Sequence, residues 1–367
     1  MDSAAALHGL ALRRRVPRDA KPRLSPLVPG SSPGRPTNIL LMTNPRTPQE
    51  IASGHHFKYV NFTGIQPGPR LIITGAVHGN ETCGTQAIQR VLDDIEHQRL
   101  TIASGSVTFV LITNPLAYAL HDRMGERNLN RNLYPVAAPA NFEDHVANWL
   151  CPLLARHDVL LDLHSTRAQN PAFAMLGPEN NTGPLQPFKH FEKERALAKR
   201  LGVHRFVDGW LSTYAKGVER RVQAGQANAL NTDPRYGVGT TEYMRSVGGY
   251  AITLECGAHD DPSSPEVGYR AILNTLAFLG LTSSPPPEPV EKYEALRMVE
   301  VHDKNNVDDT FSRAWASFDH LRKGDLIATR HDGTKLLAKD EGCILFPDAK
   351  AAPGNEWFYL TKTIAEI

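Results

Sequence analysis

Apolar residues in this chain gather in short unbroken runs, and between the runs they recur at helical spacing. RLIITGAV (70–77), SVTFVLI (106–112), VLLDLH (159–164) and YAITLE (250–255) are apolar runs bounded by turn or polar residues. Such runs predict strands buried on both faces. Behind the first, Ile88, Val91, Leu92 and Ile95 fall at i, i+3, i+4 and i+7, which predicts an amphipathic helix from near Thr82. EDHVANWLCPLLARH (143–157) and EVGYRAILNTLAFLG (266–280) predict two more helices. Buried strands alternating with helices imply a layered α/β fold with a mostly parallel or mixed sheet.

The pattern changes at both ends. SSPPPEPVEK (283–292) reads as a stiff proline-rich linker that closes a large domain of residues 42–282. Beyond it, ALRMVEV, DLIATR, KLLA, CILF and EWFYLT alternate with Gly, Asp and Pro turns, predicting a small β-rich domain over 293–367. Residues 1–41, rich in Arg, Pro and Ser, lack hydrophobic periodicity and are expected to be a disordered leader. No apolar segment follows the charges, against a secretory signal. The prolines from Pro17 to Pro36 weigh against an amphipathic transit helix, and a natural start at Met42 is a third reading.

Composition narrows the function classes. With 41% hydrophobic and 22% charged residues, the 367-residue chain has the balance of a globular enzyme. A net charge of +1 gives no field toward nucleic acid or anionic membranes, so neither is expected as a partner. No run approaches the roughly 20 apolar residues of a membrane span. Cys83, Cys151, Cys256 and Cys343 form no CxxC pair, which fits a reducing, cytoplasmic setting and buried packing thiols. The expected partner is a small-molecule substrate; a homo-oligomer is left open.

Candidate chemistry sits at the predicted strand ends. In GAVHGNETCG, His78 and Glu81 are three residues apart where a strand gives way to a helix, so both can face one cation. HxxE is weak alone; its place at the carboxyl end of a strand strengthens it. DLHST offers His164, and two histidines, a carboxylate and a free position make the ligand set of hydrolytic zinc. Satisfied core histidines are the bland alternative. Asp162, on the same strand face as His164, suits a supporting hydrogen bond. His55–His56 reads as solvated surface, and His259, Asp260 and Asp261 before PSSP as a capping turn. Glu255 ends an apolar strand run, where a lone carboxylate needs a reason: a general base beside an activated water, or a structural ion pair. HDRMGERNLNRNLYP (121–135) gathers Arg123, Arg127 and Arg131 with Asn130, either a carboxylate- and oxyanion-binding loop or a solvated one.

Together, GAVHGNE, RNLNR, DLHST and ITLECG, in that order, resemble the succinylglutamate desuccinylase and aspartoacylase family, over about residues 68–280. The resemblance implies a zinc carboxypeptidase-like layered α/β/α domain with a mixed sheet, plus a small C-terminal β-rich domain covering the active site. It implies one zinc per chain on His78, Glu81 and His164, with Glu255 as general base. It assigns Arg123 to carbonyl polarisation, Asn130 and Arg131 to a substrate carboxylate, and Arg245, ten residues before Glu255, to a further acid group. NEWFY (355–359) resembles the family's NEAAY segment, making Tyr359 a substrate contact. Asn128 stands where many relatives have Asp.

The implied reaction is zinc-dependent hydrolysis of an N-acyl amino acid, acidic as in N-acetylaspartate or N-succinylglutamate. Alternatives are a zinc carboxypeptidase acting on peptides, a deacetylase of a non-acidic N-acetylated amino-acid derivative, and a non-catalytic binding protein on the same fold.

Overall fold

A computed structural model of the protein describes residues 54–223, 225 and 232–367. The expected leader, 1–41, lies outside the described residues. An 11-stranded mixed sheet forms the frame. At one edge, β1 (Val60–Thr63) runs antiparallel to β3 (Ser104–Val110), which lies parallel to β2 (Gln66–Thr74). Next come β4 (Val159–Thr166) and β7 (Tyr250–Ala258), both parallel to β2. The short β5 (Phe173–Met175) is antiparallel to β7 and parallel to β6 (Arg205–Asp208).

The C-terminal strands extend this same sheet. β8 (Glu294–Asp303) pairs parallel with β6, then β14 (Glu356–Thr363), β13 (Gly342–Leu345) and β10 (His320–Leu321) follow antiparallel. A second sheet of β9 (Thr310–Phe311), β11 (Leu326–Thr329) and β12 (Lys335–Leu337) completes the β-rich region. The pattern-based strands and helices are all present, with ends displaced by a few residues. The very short β5 and β6 carry too few residues for a pattern.

Strand alternation decides which side chains meet. Leu71 and Ile73 of β2, Leu161 and Leu163 of β4, and Ile252 and Leu254 of β7 join one core, with α1 (Cys83–Glu96) and α7 (Ser264–Phe278) packed on it. Ile72, Leu160 and Ala251 point the other way, into a core with α3 (Phe142–Leu154) and Met244 of α6 (Thr240–Ser246). By the same period of two, Asp162, His164, Thr253 and Glu255 belong to this second face. No helix among the described residues is long and apolar enough to cross a membrane.

One charged cluster ties β8 to its surroundings. Glu300 accepts from Arg220 and Lys339 and meets His302 Nε2 at 3.1 Å. Hydrogen bonding to His302 leads the effects that outweigh burial and hold its pKa down to about 2, against 4.5 for a free carboxyl. A depressed carboxyl pKa stabilises the fold above the unfolded value, and that contribution is lost as pH falls through the folded one. Glu300→Gln is therefore expected to remove about 1–2 kcal/mol of the stability lost between pH 5 and pH 2, after discounting for partial exposure. Urea titrations at stepped pH check this; an unaltered acid limb would contradict it.

Candidate metal centre

After β2 the chain turns sharply, with Ala76 in a left-handed conformation (φ 48°) and its carbonyl accepting from Asn114 N–H. A non-glycine residue there is strained and must be held by its surroundings. The turn delivers His78 and, ahead of α1, Glu81. Between them Gly79 lies against the backbone of α2 (Pro115–Leu120), so close that a Cβ would stand 1.9 Å from the carbonyl carbon of Ala117. Only glycine fits that approach.

His164 reaches the same point from the carboxyl end of β4. All three side chains are buried, and their ligand atoms lie within 4.8 Å of one another. Both imidazoles turn Nδ1 toward the Glu81 carboxylate, His78 at 2.8 Å and His164 at 2.7 Å. Their outer nitrogens are held by Asn128 Oδ1 (3.1 Å from His78 Nε2) and Asp162 Oδ2 (2.8 Å from His164 Nε2). Inward-facing nitrogens with outer nitrogens tied to oxygens are the arrangement of metal-binding histidines. The donor set thus fits a divalent cation that accepts nitrogen and oxygen. Asp162 is itself fixed by hydroxyl donors from Thr74 and Thr240.

The electrostatics describe a cage of mutually dependent charges. Burial pushes the His78 pKa down to about 4, with Arg123 adding to the effect and Glu81 opposing it. Burial also opposes charge on His164, but Asp162 and Glu81 outweigh it and hold its pKa well above the usual value. For Glu81, burial is overcome by His78 and His164, and the carboxyl titrates well below normal.

Glu255 stands directly across the β4–β7 pairing from His164. It is buried, and its Oε2 has no hydrogen-bond partner. Burial raises its pKa to about 8, against opposing pulls from His164 and Arg123. The alternative of a structural ion pair finds no support, since no salt bridge to Glu255 is formed among the described residues. Arg123, half exposed, donates from Nη1 to Glu81 at 3.2 Å.

The 121–135 segment is firmly built. Glu143 accepts from the backbone N–H groups of Gly125, Glu126 and Arg127. Arg127 pairs with Asp144 and donates to the Asn128 and Arg131 carbonyls, while Leu129 and Leu133 enter the core. Arg127 is thus a brace. Asn130 Oδ1 accepts from the Thr240 N–H at the start of α6. Arg131 rests 4.7 Å from the ring of Trp210, the first residue of α5 (Trp210–Gln223), and faces Glu356 Oε1 at 3.7 Å. Tyr359, on β14, stacks obliquely 5.4 Å from Trp210 and buries a hydroxyl without a partner.

Arg245 is the correction. Its guanidinium is buried against Glu194, Glu242 and the Ala251 carbonyl. Ala251 precedes Glu255 by four residues on β7, or roughly 13 Å of extended strand. A cation so paired does not serve a substrate at the cage. Arg245→Met is therefore expected to lower stability by about 3 kcal/mol, the order for breaking a buried pair, and to change KM for acidic and neutral substrates alike. Thermal melts and paired kinetics check this; a selective loss for acidic substrates would return Arg245 to the pocket.

Sequence reading also passed over some neighbours. Asn128 orients His78, a role its departure from Asp concealed. His259 Nδ1 lies 2.9 Å from the hydroxyl of Ser165, whose N–H donates to Glu81, so His259 borders the cage while Asp261 makes the expected cap. Trp210 and Glu356 carried no local signal; only tertiary contact brings them to Arg131.

Residues 67–189 match the succinylglutamate desuccinylase/aspartoacylase catalytic domain family. A succinylglutamate desuccinylase from Vibrio cholerae serotype O1 is 25% identical over 296 residues, covering 78% of each chain. Among solved structures, a succinylglutamate desuccinylase/aspartoacylase from Rhodobacter sphaeroides aligns with a TM-score of 0.63 at 17% identity, over 84% of this chain and 90% of that one. The succinylglutamate desuccinylase from Vibrio cholerae gives 0.61 at 21% identity, over 83% and 85%. These structures share the fold.

Proposed function

We propose, from the premise that this chain is a hydrolytic enzyme related to the succinylglutamate desuccinylase and aspartoacylase family, that it cleaves the amide bond of an N-acylated amino acid with zinc held by His78, Glu81 and His164. The observation that carries the reading is the convergence of both Nδ1 atoms on the Glu81 carboxylate, with Glu255 opposite His164. Zinc in that cage supplies Lewis acidity and a water acidified toward a pKa of about 7.

The chain's own residues divide the remaining work. Glu255 takes the proton of the attacking water and passes it to the leaving amine nitrogen. Its burial suits both directions, because a pKa near neutrality lets one carboxyl act as base and then as acid. Arg123, already within hydrogen-bond reach of Glu81, stabilises the developing oxyanion. Asn130 and Arg131 hold the substrate carboxylate, with the Tyr359 hydroxyl as a further donor, and residues 293–367 bound the pocket.

A panel of acetyl-, formyl- and succinyl-amino acids, with a C-terminal peptide as control, tests the reading. At least one N-acyl amino acid should be hydrolysed, and a chelator should abolish turnover until zinc is restored. Cleavage of the peptide alone, or turnover indifferent to chelation, would overturn it.

A further inference from the structure

The two strand ends that carry the cage are irregular where it matters. β4 and β7 stay in step as far as His164 opposite Glu255, but the next pairing is Thr166 with Ala258, so β7 takes three steps where β4 takes two. The extra residue makes a bulge at Cys256 and Gly257, directly after Glu255. Gly257 sits there at φ 127°, and a Cβ on it would stand 2.7 Å from Ser264 Oγ. A bulge bends its strand and re-aims the side chains beside it.

His259 closes this bulge twice. Its N–H donates to the Thr166 carbonyl at 2.8 Å, and its Nδ1 meets the Ser165 hydroxyl at 2.9 Å. Ser165 stands opposite the bulge and is only 3% exposed. Its N–H donates at 3.3 Å to Glu81 Oε2, the oxygen that also meets His164 Nδ1. The imidazole therefore fixes the residue whose peptide joins a cage histidine to the cage carboxylate. A ligating carboxylate held from outside in this way keeps its orientation. The capping turn expected over 259–261 accounts for Asp261, which accepts from the N–H and hydroxyl of Ser263, but not for His259. Nε2 of His259 makes no hydrogen bond among the described residues, so the contact that orders the ring is the one through Nδ1.

We propose that His259 is a positioning residue: through Ser165 it holds the Glu81 carboxylate, and by locking the bulge it keeps Glu255 opposite His164. Its consequence for turnover rests on the deacylase reading; its consequence for the cage does not.

The test separates the two ring nitrogens. Asparagine places its amide near the position of Nδ1, and glutamine near that of Nε2. His259→Leu, His259→Asn, His259→Gln, Ser165→Ala and the double variant His259→Leu/Ser165→Ala are compared as full chains. Zinc affinity of the metal-free protein is read by competition with a chromophoric chelator, and kcat and KM on the best N-acyl amino acid. His259→Leu should weaken zinc about tenfold and lower kcat about tenfold or more, with KM within about threefold, the scale for removing a group that orients a metal ligand. His259→Asn should regain most of both losses and His259→Gln little. Ser165→Ala should match His259→Leu, and the double variant should lose no more than either, because the two act in one chain of contacts. Rescue by glutamine rather than asparagine would overturn the proposal, as would additive losses or wild-type zinc affinity in both single variants. A lowered Tm with zinc affinity and kcat intact would mark His259 as a brace for the fold alone, and would overturn it too. If no N-acyl amino acid is hydrolysed, the deacylase reading fails by itself, and the zinc competition still decides whether His259 supports the cage.

Discussion

Glu255→Gln is expected to bind zinc and substrate as the wild type does and to lose kcat by about a thousandfold or more. Glutamine keeps the shape of the side chain opposite His164 but cannot take up a proton. General acid–base groups contribute on the order of 10²–10⁴ in rate, and in the proposed reaction this one would serve both halves. The exchange is nearly isosteric and leaves the cage residues in place, so the loss should be confined to kcat. Among the described residues Glu255 forms no salt bridge and its Oε2 no hydrogen bond, so the fold has little to lose by the exchange. Zinc content, KM and kcat measured on the same preparation check this. A near-normal kcat would remove Glu255 from the chemistry.

Removing a cage histidine should have the other large effect. Purified protein is expected to carry about one zinc per chain, and His164→Ala or His78→Ala to carry almost none after gel filtration. The loss follows from the donor set: with only one imidazole and one carboxylate left, too few ligands remain to hold the ion. A linked readout avoids dependence on activity. Zinc at a thousand times its Kd stabilises the folded wild type by about 4 kcal/mol, visible as a rise in Tm. The variants should show no such rise. His164→Ala should also destabilise the metal-free chain more than His78→Ala, because it leaves the buried Asp162 with only Thr74 and Thr240 as partners. Stoichiometric zinc in both variants would rule out this centre.

The sequence by itself determined the layered α/β class, because unbroken apolar runs and 3.6-residue spacing report burial locally, residue by residue. It also singled out the three residues that meet at the candidate metal centre. His78 and Glu81 are local to one turn, Asp162 and His164 share one strand face, and each motif ends a predicted strand. What it could not determine is which side chains complete one another across the chain. The His164–Glu255 juxtaposition depends on β4 and β7 pairing in parallel across 80-odd intervening residues, which no local pattern encodes. The spacing of Arg245 before Glu255 suggested a substrate contact, yet the fold turns that guanidinium toward Glu194, a partner visible only once α4 (Phe191–Ala198) is packed against β7. Likewise, Pro285, Pro286 and Pro287 mark a break in the pattern, but the strands beyond it enter the same sheet through β6 and β8. Strand pairing and charge pairing are both contacts between distant segments. The tertiary structure alone decided that the last strand brings Glu356 to Arg131 and Tyr359 to Trp210 beside it.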